Sequence, residues 1–311
     1  MYLNVSSSPH IRDSVTTRRL MGDVVIALIP ALVASYFIFG VRAIILTLIT
    51  VASCVFFEWI SRLIMKRDNT IHDMSAVVTG TILAFCLPAG LPVWMAIFGA
   101  FIAIVVVKEM FGGIGSNIAN PAIVGRIVLG MSFGSEMNSY SVIGTLAGET
   151  GTDLVATATP LALSGDQAAS YLDLLLGRHG GTIGEVSAAA LLLGCAYLVL
   201  RGVIDLWIPA TFVVSTGLFM WVLGHDPIYH VLAGGLLLGA IYMATDYVTS
   251  PTTTKGKIIF GIGCGLLTGL FRGFAASPEG VSFAILLMNI MNPHLERWTR
   301  LKTIGGVDYV A

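Results

Sequence analysis

Apolar residues recur in long blocks from one end of this chain to the other, separated by short polar or glycine- and proline-rich breaks. A helix needs about 20 residues to cross the hydrocarbon of a bilayer. Cutting the sequence at its breaks gives candidate spans at 22–39, 43–61, 74–90, 92–110, 118–134, 186–200, 203–223, 228–245, 257–275 and 278–293. The pattern predicts an all-α integral membrane protein of about ten transmembrane helices, arranged as two five-helix halves. The halves are 22–134 and 186–293, joined by a connector at 135–185 and flanked by segments 1–21 and 294–311. An odd number of spans per half makes the second half an inverted copy of the first. Several spans are short, and interrupted helices in membranes line sites.

Composition agrees: 56% of residues are apolar and 11% charged. The blocks fill the whole length, which excludes a lone signal peptide as their explanation. The net charge of −1, with no basic stripe, excludes nucleic acid as a partner. Basic residues set the orientation. With the N-terminus inside, Arg12, Arg18, Arg19, Arg62, Lys66, Arg67, Lys108, Arg201, Lys255, Lys257, Arg297, Arg300 and Lys302 fall on the inner face. Only Arg42, Arg178 and Arg272 fall outside, and Arg126 lies within a span. The expected location is a prokaryotic plasma membrane, crossed many times, with both termini cytoplasmic and the connector outside. Cys54, Cys86, Cys195 and Cys264 lie apart with no C-x-x-C spacing, as packing cysteines do.

A faint internal repeat supports the inverted halves. FGGIGSNIANPAIVGR at 111–126 can be laid beside FRGFAASPEGVSFA at 271–284, each a phenylalanine and glycine break followed by a proline that opens a final helix. NIANP at 117–121 also echoes NIMNP at 289–293, but those two would share one face, whereas inversion requires opposite faces.

Three stretches carry candidate chemistry. The connector contains DLVATATPLA at 153–162, read as a water-exposed segment. Its threonines are either turn formers in a solvated linker or hydroxyls displayed for modification, with Pro160 fixing the chain after Thr159. At the inner end of the eighth span, ATDYVTSPTTTKGK offers Asp246, Thr249, Thr252 and Lys255 around a break at Pro251. That is either a polar turn or a pocket for a cofactor or ion, and an acid such as Asp246 at a span boundary is costly unless it is paired or functional. In GGIGSNIANP the glycines permit close approach to a ring, Asn117 adds an amide, and Asn120 before Pro121 also reads as a plain helix cap. Arg126 needs an acid, carbonyl or phosphate at membrane depth, with Glu109 as one candidate partner and Lys108 competing for it. Asp23, Glu58 and Asp205 lie near span ends, within reach of water. His10 reads as a surface contact, and His225 and Asp226 as a solvated turn.

SPHIR at 8–12, GGIGSNIANPAIVGR at 112–126, ATATPLA at 156–162 and ATDYVTSPTTTKGK at 244–257 together resemble the NqrB/RnfD family, the RnfD-type membrane subunits of Rnf ferredoxin:NAD oxidoreductases. The resemblance implies a covalent FMN, joined by a phosphoester to the last threonine of the outer-loop motif. That position is Thr159 here. The usual first Ser or Thr is Ala156 and the usual Gly is Thr157, so Thr157 is an alternative anchor. A second, noncovalent flavin such as riboflavin between the helices is a further family expectation. The implied activity is electron relay between reduced ferredoxin and NAD, coupled to Na+ or H+ export. Implied partners are the other Rnf subunits, including an outer-face flavin subunit, a flavin transferase and membrane lipid. The chain has no dinucleotide fingerprint and no iron–sulfur spacing, so it holds no complete active site and no metal site of its own. A channel or secondary transporter for a small polar solute, or a structural membrane anchor, remains open on the residues alone.

Overall fold

The computed structural model describes residues 15–143, 154–157, 159–162, 169–185, 187–274 and 280–300. His10 and Arg12 of the SPHIR stretch, Pro278 of the repeat and Lys302 of the tail lie outside the described residues. Among the described residues, three helices are long and apolar enough to cross a membrane: α1 (Thr17–Phe39), α2 (Val41–Ile64) and α12 (Thr254–Phe274). Shorter apolar helices are α3 (Ser75–Phe85), α5 (Pro121–Ser132), α8 (Ala188–Leu200) and α9 (Trp207–Val222). The last long helix is α13 (Val281–Thr299). Phe37, Leu48, Leu63, Leu193, Leu200 and Val222 stand largely exposed on these helices, as lipid-facing side chains do.

Three spans are irregular. α4 (Val93–Phe101) continues without a break as a π-helix, Ile102–Glu109. α10 (Pro227–Leu232) stops at Ala233–Gly235, then α11 (Leu236–Leu238) runs into a second π-helix, Gly239–Met243. The expected span at 74–90 is helical only to Phe85, and Cys86 to Pro92 are unwound. The breaks follow local sequence. Gly234, at φ 69, turns the chain between α10 and α11. Pro121 opens α5 behind Asn120, whose Oδ1 accepts from Ala122 N at 3.0 Å and Ile123 N at 3.4 Å.

α1 packs on α8, α5 on α13, α2 on α3 and α4, and α9 on α12. All four cysteines are buried and none is in a disulfide, in keeping with packing roles.

The connector carries more structure than its composition suggests. It holds two short helices, α6 (Gly134–Met137) and α7 (Tyr171–Leu176), and an antiparallel pair, β1 (Tyr140–Ile143) with β2 (Leu154–Thr157). Tyr140 faces Thr157 in that register, and Ile143 faces Leu154. Aromatic and β-branched residues in short runs explain the strands. Within DLVATATPLA, Leu154–Thr157 form a strand and Thr159 is 8% exposed, so the stretch is not exposed at Thr159. The side chain of Thr157 lies outside the described residues.

Candidate functional site

The bundle has two ends: the α1 end, where Thr17 lies, and the connector end. At the α1 end a cavity of about 380 Å3 opens between α1, α3 and α8, closed by the loop after Glu109 and the unwound chain after Met243. Its wall is mostly apolar, with polar groups from Ser75, Lys108, Asn117, Asn120 and Asp246. Both π-helices border it, through Lys108 on one side and Ile241 and Tyr242 on the other, and π-helical turns concentrate at functional sites.

The polar groups are held from behind. Asn120 Nδ2 donates to Met243 O at 3.3 Å, tying the α5 cap to the end of the second π-helix. The Asn289 amide of α13, oriented to satisfy both its groups, donates to Thr249 O at 3.3 Å and accepts from Asn120 N at 3.2 Å. Asn117 Nδ2 donates to Ala119 O at 3.1 Å. Thr249, 2% exposed, donates to Asp246 Oδ2 at 3.1 Å. Enclosure by protein raises the Asp246 carboxyl above the ordinary carboxylate range, against the lowering effect of the Thr249 and Val248 bonds.

Lys108 enters from the first π-helix at 3% exposure. Its Nζ lies 3.0 Å from Glu58 Oε2 and donates to Ser75 Oγ at 2.6 Å. Ser75 Oγ in turn donates to Asp73 Oδ1 at 2.5 Å, and Thr70 Oγ1 donates to Glu58 Oε1 at 2.6 Å. One turn away, Arg62 Nε meets Glu109 Oε2 at 2.9 Å. The Arg62 guanidinium lies against Gly113, at φ 96, where any side chain would strike it.

These pairings correct three expectations. Glu109 belongs to Arg62, not to Arg126, because the first π-helix turns it toward α2. Glu58 does not reach water, since it is fully buried beneath Lys108 and Thr70. Asp23, 6% exposed, is held by Arg201 at 3.2 Å and by the Tyr197 hydroxyl at 2.8 Å. Asp205 does stay largely exposed and pairs with Lys257.

The sequence candidates divide among three places. Asn117, Asn120 and Asp246 line the α1-end cavity, and Thr249 stands behind Asp246. Thr252 is exposed, bonded to Glu296 at 3.2 Å, and faces a separate hollow with Lys257. Lys255 is exposed on the first turn of α12. Arg126 points to the connector end, where Nη2 lies 3.6 Å from Glu185 Oε1, Nη1 donates to Ser282 Oγ at 2.5 Å and Nε donates to Cys86 O at 3.4 Å.

Also at the connector end, residues 182–185 lie along the unwound chain after α3. Ile183 N donates to Leu87 O at 3.0 Å and Gly184 N to Phe85 O at 2.9 Å. Glu185 Oε1 abuts Gly235 in the break between α10 and α11. Thr159 heads the turn Pro160–Ala162, which is drawn onto the same break: the Tyr229 hydroxyl donates to Pro160 O at 2.7 Å, and Leu161 and Arg272 both crowd Gly234. Nearby, the Tyr171 hydroxyl donates to Asp226, the α10 cap, and holds its carboxyl below the ordinary range.

Lys108 and Ser75 are site residues that sequence reasoning passed over. Lys108 beside Glu109, at the close of an apolar span, was the available signal, because adjacent opposite charges at membrane depth must each find a separate partner.

The family model described as "NQR2, RnfD, RnfE family" matches residues 4–305. The chain is 45% identical over 309 residues to a subunit of the Na(+)-translocating ferredoxin:NAD(+) oxidoreductase complex of Acetobacterium woodii, covering 97% of this chain and 95% of that one. It is 38% identical to a subunit of the proton-translocating ferredoxin:NAD(+) oxidoreductase complex of Clostridium ljungdahlii, covering 97% and 96%. A subunit of the ion-translocating oxidoreductase complex of Stutzerimonas stutzeri is 35% identical, covering 95% and 93%.

Proposed function

The chain belongs to the NQR2, RnfD, RnfE family, and from this premise we propose that it is the flavin-carrying membrane subunit of an Rnf-type ferredoxin:NAD oxidoreductase that exports Na+ or H+. The observation that carries the reading is the match to subunits of two such complexes along nearly the full length of both partners. Electrons pass through this subunit between neighbours that hold the remaining centres, among them an outer-face flavin subunit, and a flavin transferase matures it.

FMN is carried on Thr159, with Thr157 as the alternative anchor. The residues fit a phosphoester in kind: a threonyl hydroxyl at the head of a fixed turn, with the Arg272 guanidinium packed beside Leu161 two residues on. Thr159 is 8% exposed, so a flavin there takes the place of part of what now covers it. The α1-end cavity fits a second, noncovalent flavin such as riboflavin. Its volume of about 380 Å3 lies within the range of about 300–1,000 Å3 for small-molecule sites, and its apolar wall with a few amides suits a ring system. Such cofactors bring the electron chemistry, and the chain supplies position and electrostatics.

Ten spans in two inverted halves remain our reading of the architecture. It is supported by the pairing of first helix with first, α1 on α8, and of last with last, α5 on α13, as a two-fold axis would give. The α1 end is then cytoplasmic, both termini lie inside and the connector faces outward.

In-gel ultraviolet fluorescence of the denatured chain, taken from membranes with an active flavin transferase, tests the anchor. The wild type fluoresces and Thr159→Val is dark. Fluorescence that survives Thr159→Val and is lost in Thr157→Val moves the anchor two residues upstream. A dark wild-type band favours a solute transporter or a structural anchor instead.

A further inference from the structure

Asp73, Ser75 and Lys108 form one hydrogen-bonded line from the surface of the α1 end to the wall of its cavity, with steps of 2.5 Å and 2.6 Å. Asp73 is partly exposed, Ser75 is 6% exposed and Lys108 3% exposed. We infer that this line delivers protons to the electron acceptor in the cavity, with Lys108 as the terminal donor. The inference rests on the proposed noncovalent flavin, whose ring takes up protons as it is reduced.

Three observations support it. First, an ammonium has three donor hydrogens, and Glu58 and Ser75 engage two of those on Lys108, so the third serves the cavity that Lys108 lines. Second, Met74 between Asp73 and Ser75 takes a left-handed conformation, φ 64, which is costly for a side chain of its kind. That turn lets Asp73 Oδ1 accept from both Ser75 N, at 2.8 Å, and Ser75 Oγ. Third, Glu58 already neutralises Lys108, so charge balance does not call for the Asp73–Ser75 hydroxyl arm, which runs beside the cap that Asp73 makes on Ser75 N.

The transfer balances. As the acceptor receives an electron from the complex, one N–H bond of the Lys108 ammonium breaks and one N–H bond forms on the ring, leaving a neutral amine. Asp73, protonated from bulk water, gives its proton to Ser75 Oγ, while Ser75 passes its own hydroxyl proton to the lone pair on Lys108 Nζ. The ammonium and the carboxylate are restored. The observed polarity, Lys108 donating to Ser75 and Ser75 to Asp73, is the state this reload leaves behind. The charged groups around Lys108 are Glu58 on α2, Asp73 through Ser75, the Arg62–Glu109 pair and Asp246 across the cavity.

The test uses the assembled complex carrying Ser75→Ala or Asp73→Asn. Noncovalent flavin released on denaturation stays at the wild-type amount in Asp73→Asn, whose position does not line the cavity, and rates in Ser75→Ala are read per flavin bound, which separates this test from the occupancy reading. Reduction of that flavin, followed by rapid-mixing absorbance, slows about 10²-fold, the scale of a lost positioned proton donor, with a solvent deuterium effect on the slowed step. Ser75→Thr restores the rate, and an added weak acid such as imidazolium rescues Asp73→Asn. Rates within twofold of wild type, at full flavin content, overturn the inference.

A second measurement needs no flavin. Cyanate carbamoylates neutral lysine, and peptide mapping of the flavin-free chain should show modification at Lys108 rising with pH. Ser75→Ala should move that profile to lower pH, because it removes an acceptor of the ammonium. A Lys108 that stays unmodified while the chain remains folded, or a profile unmoved by Ser75→Ala, also overturns it. A wild-type complex without noncovalent flavin refutes the occupancy reading, and the proton line with it.

Discussion

Helices are interrupted at both ends of this bundle, and the two gaps meet opposite fates. At the connector end, residues 182–185 and Pro160–Leu161 occupy the unwound chain after α3 and the break between α10 and α11, with the Arg126–Glu185 pair at the centre and a smaller cavity of about 240 Å3 beside Arg126 and Ser282. At the α1 end, the glycine loop after the first π-helix and the chain after Met243 leave about 380 Å3 open. Unwinding by itself therefore does not make a site. A site appears where backbone groups are satisfied locally, by caps such as Asn120 and Asn289, and no further chain arrives to fill the room. The filled end should govern stability, and the open end should govern ligand chemistry.

Glu185 offers the largest test of that division. Glu185→Ala takes an acid away from the buried Arg126 guanidinium, and breaking one side of such a pair costs about 3–5 kcal/mol. The thermal midpoint in detergent should fall by several degrees, and an Arg126→Met, Glu185→Leu double variant should recover most of the loss. A neutral single variant would mean that the connector end is not closed by this pair. Gly184→Ala comes next. Its new methyl would lie 2.7 Å from Phe85 Cδ2, and overpacking of this kind costs about 1–3 kcal/mol. The same midpoint reads it, and an unchanged value would show that residues 182–185 rest only loosely on α3.

The open end was partly legible from residues alone, and the filled end hardly at all. Asn117, Asn120 and Asp246 are polar residues beside glycine or proline breaks in oily surroundings, so local pattern marks them, and the structure gathers all three on one cavity. Thr252 and Lys255 sit in the same run as Asp246, yet they face elsewhere because Pro251 and the start of α12 turn the chain away. Membership of the RnfD-type family was readable from motifs spread along the chain, and the full-length match bears it out. Nothing local announces that Glu185 travels back to Arg126, that Glu109 turns to Arg62, or that 182–185 pairs with 85–88. Such choices depend on which helices become neighbours, and on π-helical turns that rotate a side chain off its ordinary α-helical face.

At the rim of the open end the expected cost is smaller. Asn120→Ala removes the α5 cap and the link to Met243 O, and lost caps cost about 1 kcal/mol. The thermal midpoint should move by a few degrees at most, while noncovalent flavin recovered from the purified complex should drop more than the midpoint does. Equal retention of flavin would remove Asn120 from the ligand wall and leave it a helix cap alone.

Val78→Phe probes the open gap with the least disturbance. Val78 lines the α1-end cavity and is only partly buried, so a larger ring there enters free space instead of displacing packed neighbours. Overpacking penalties arise when added atoms force rotamers and backbone aside. With room available, the change should cost under about 1 kcal/mol and leave the folded chain intact. The proposed noncovalent flavin, which needs that room, should be lost. The covalent flavin proposed for Thr159 should fluoresce as in the wild type, since nothing at the connector end has been touched. Flavin analysis of the denatured complex, divided into released and chain-bound fractions, reads both outcomes at once. Destabilisation as large as that of Gly184→Ala would show that the α1 end is packed shut, and the contrast between the two gaps would collapse.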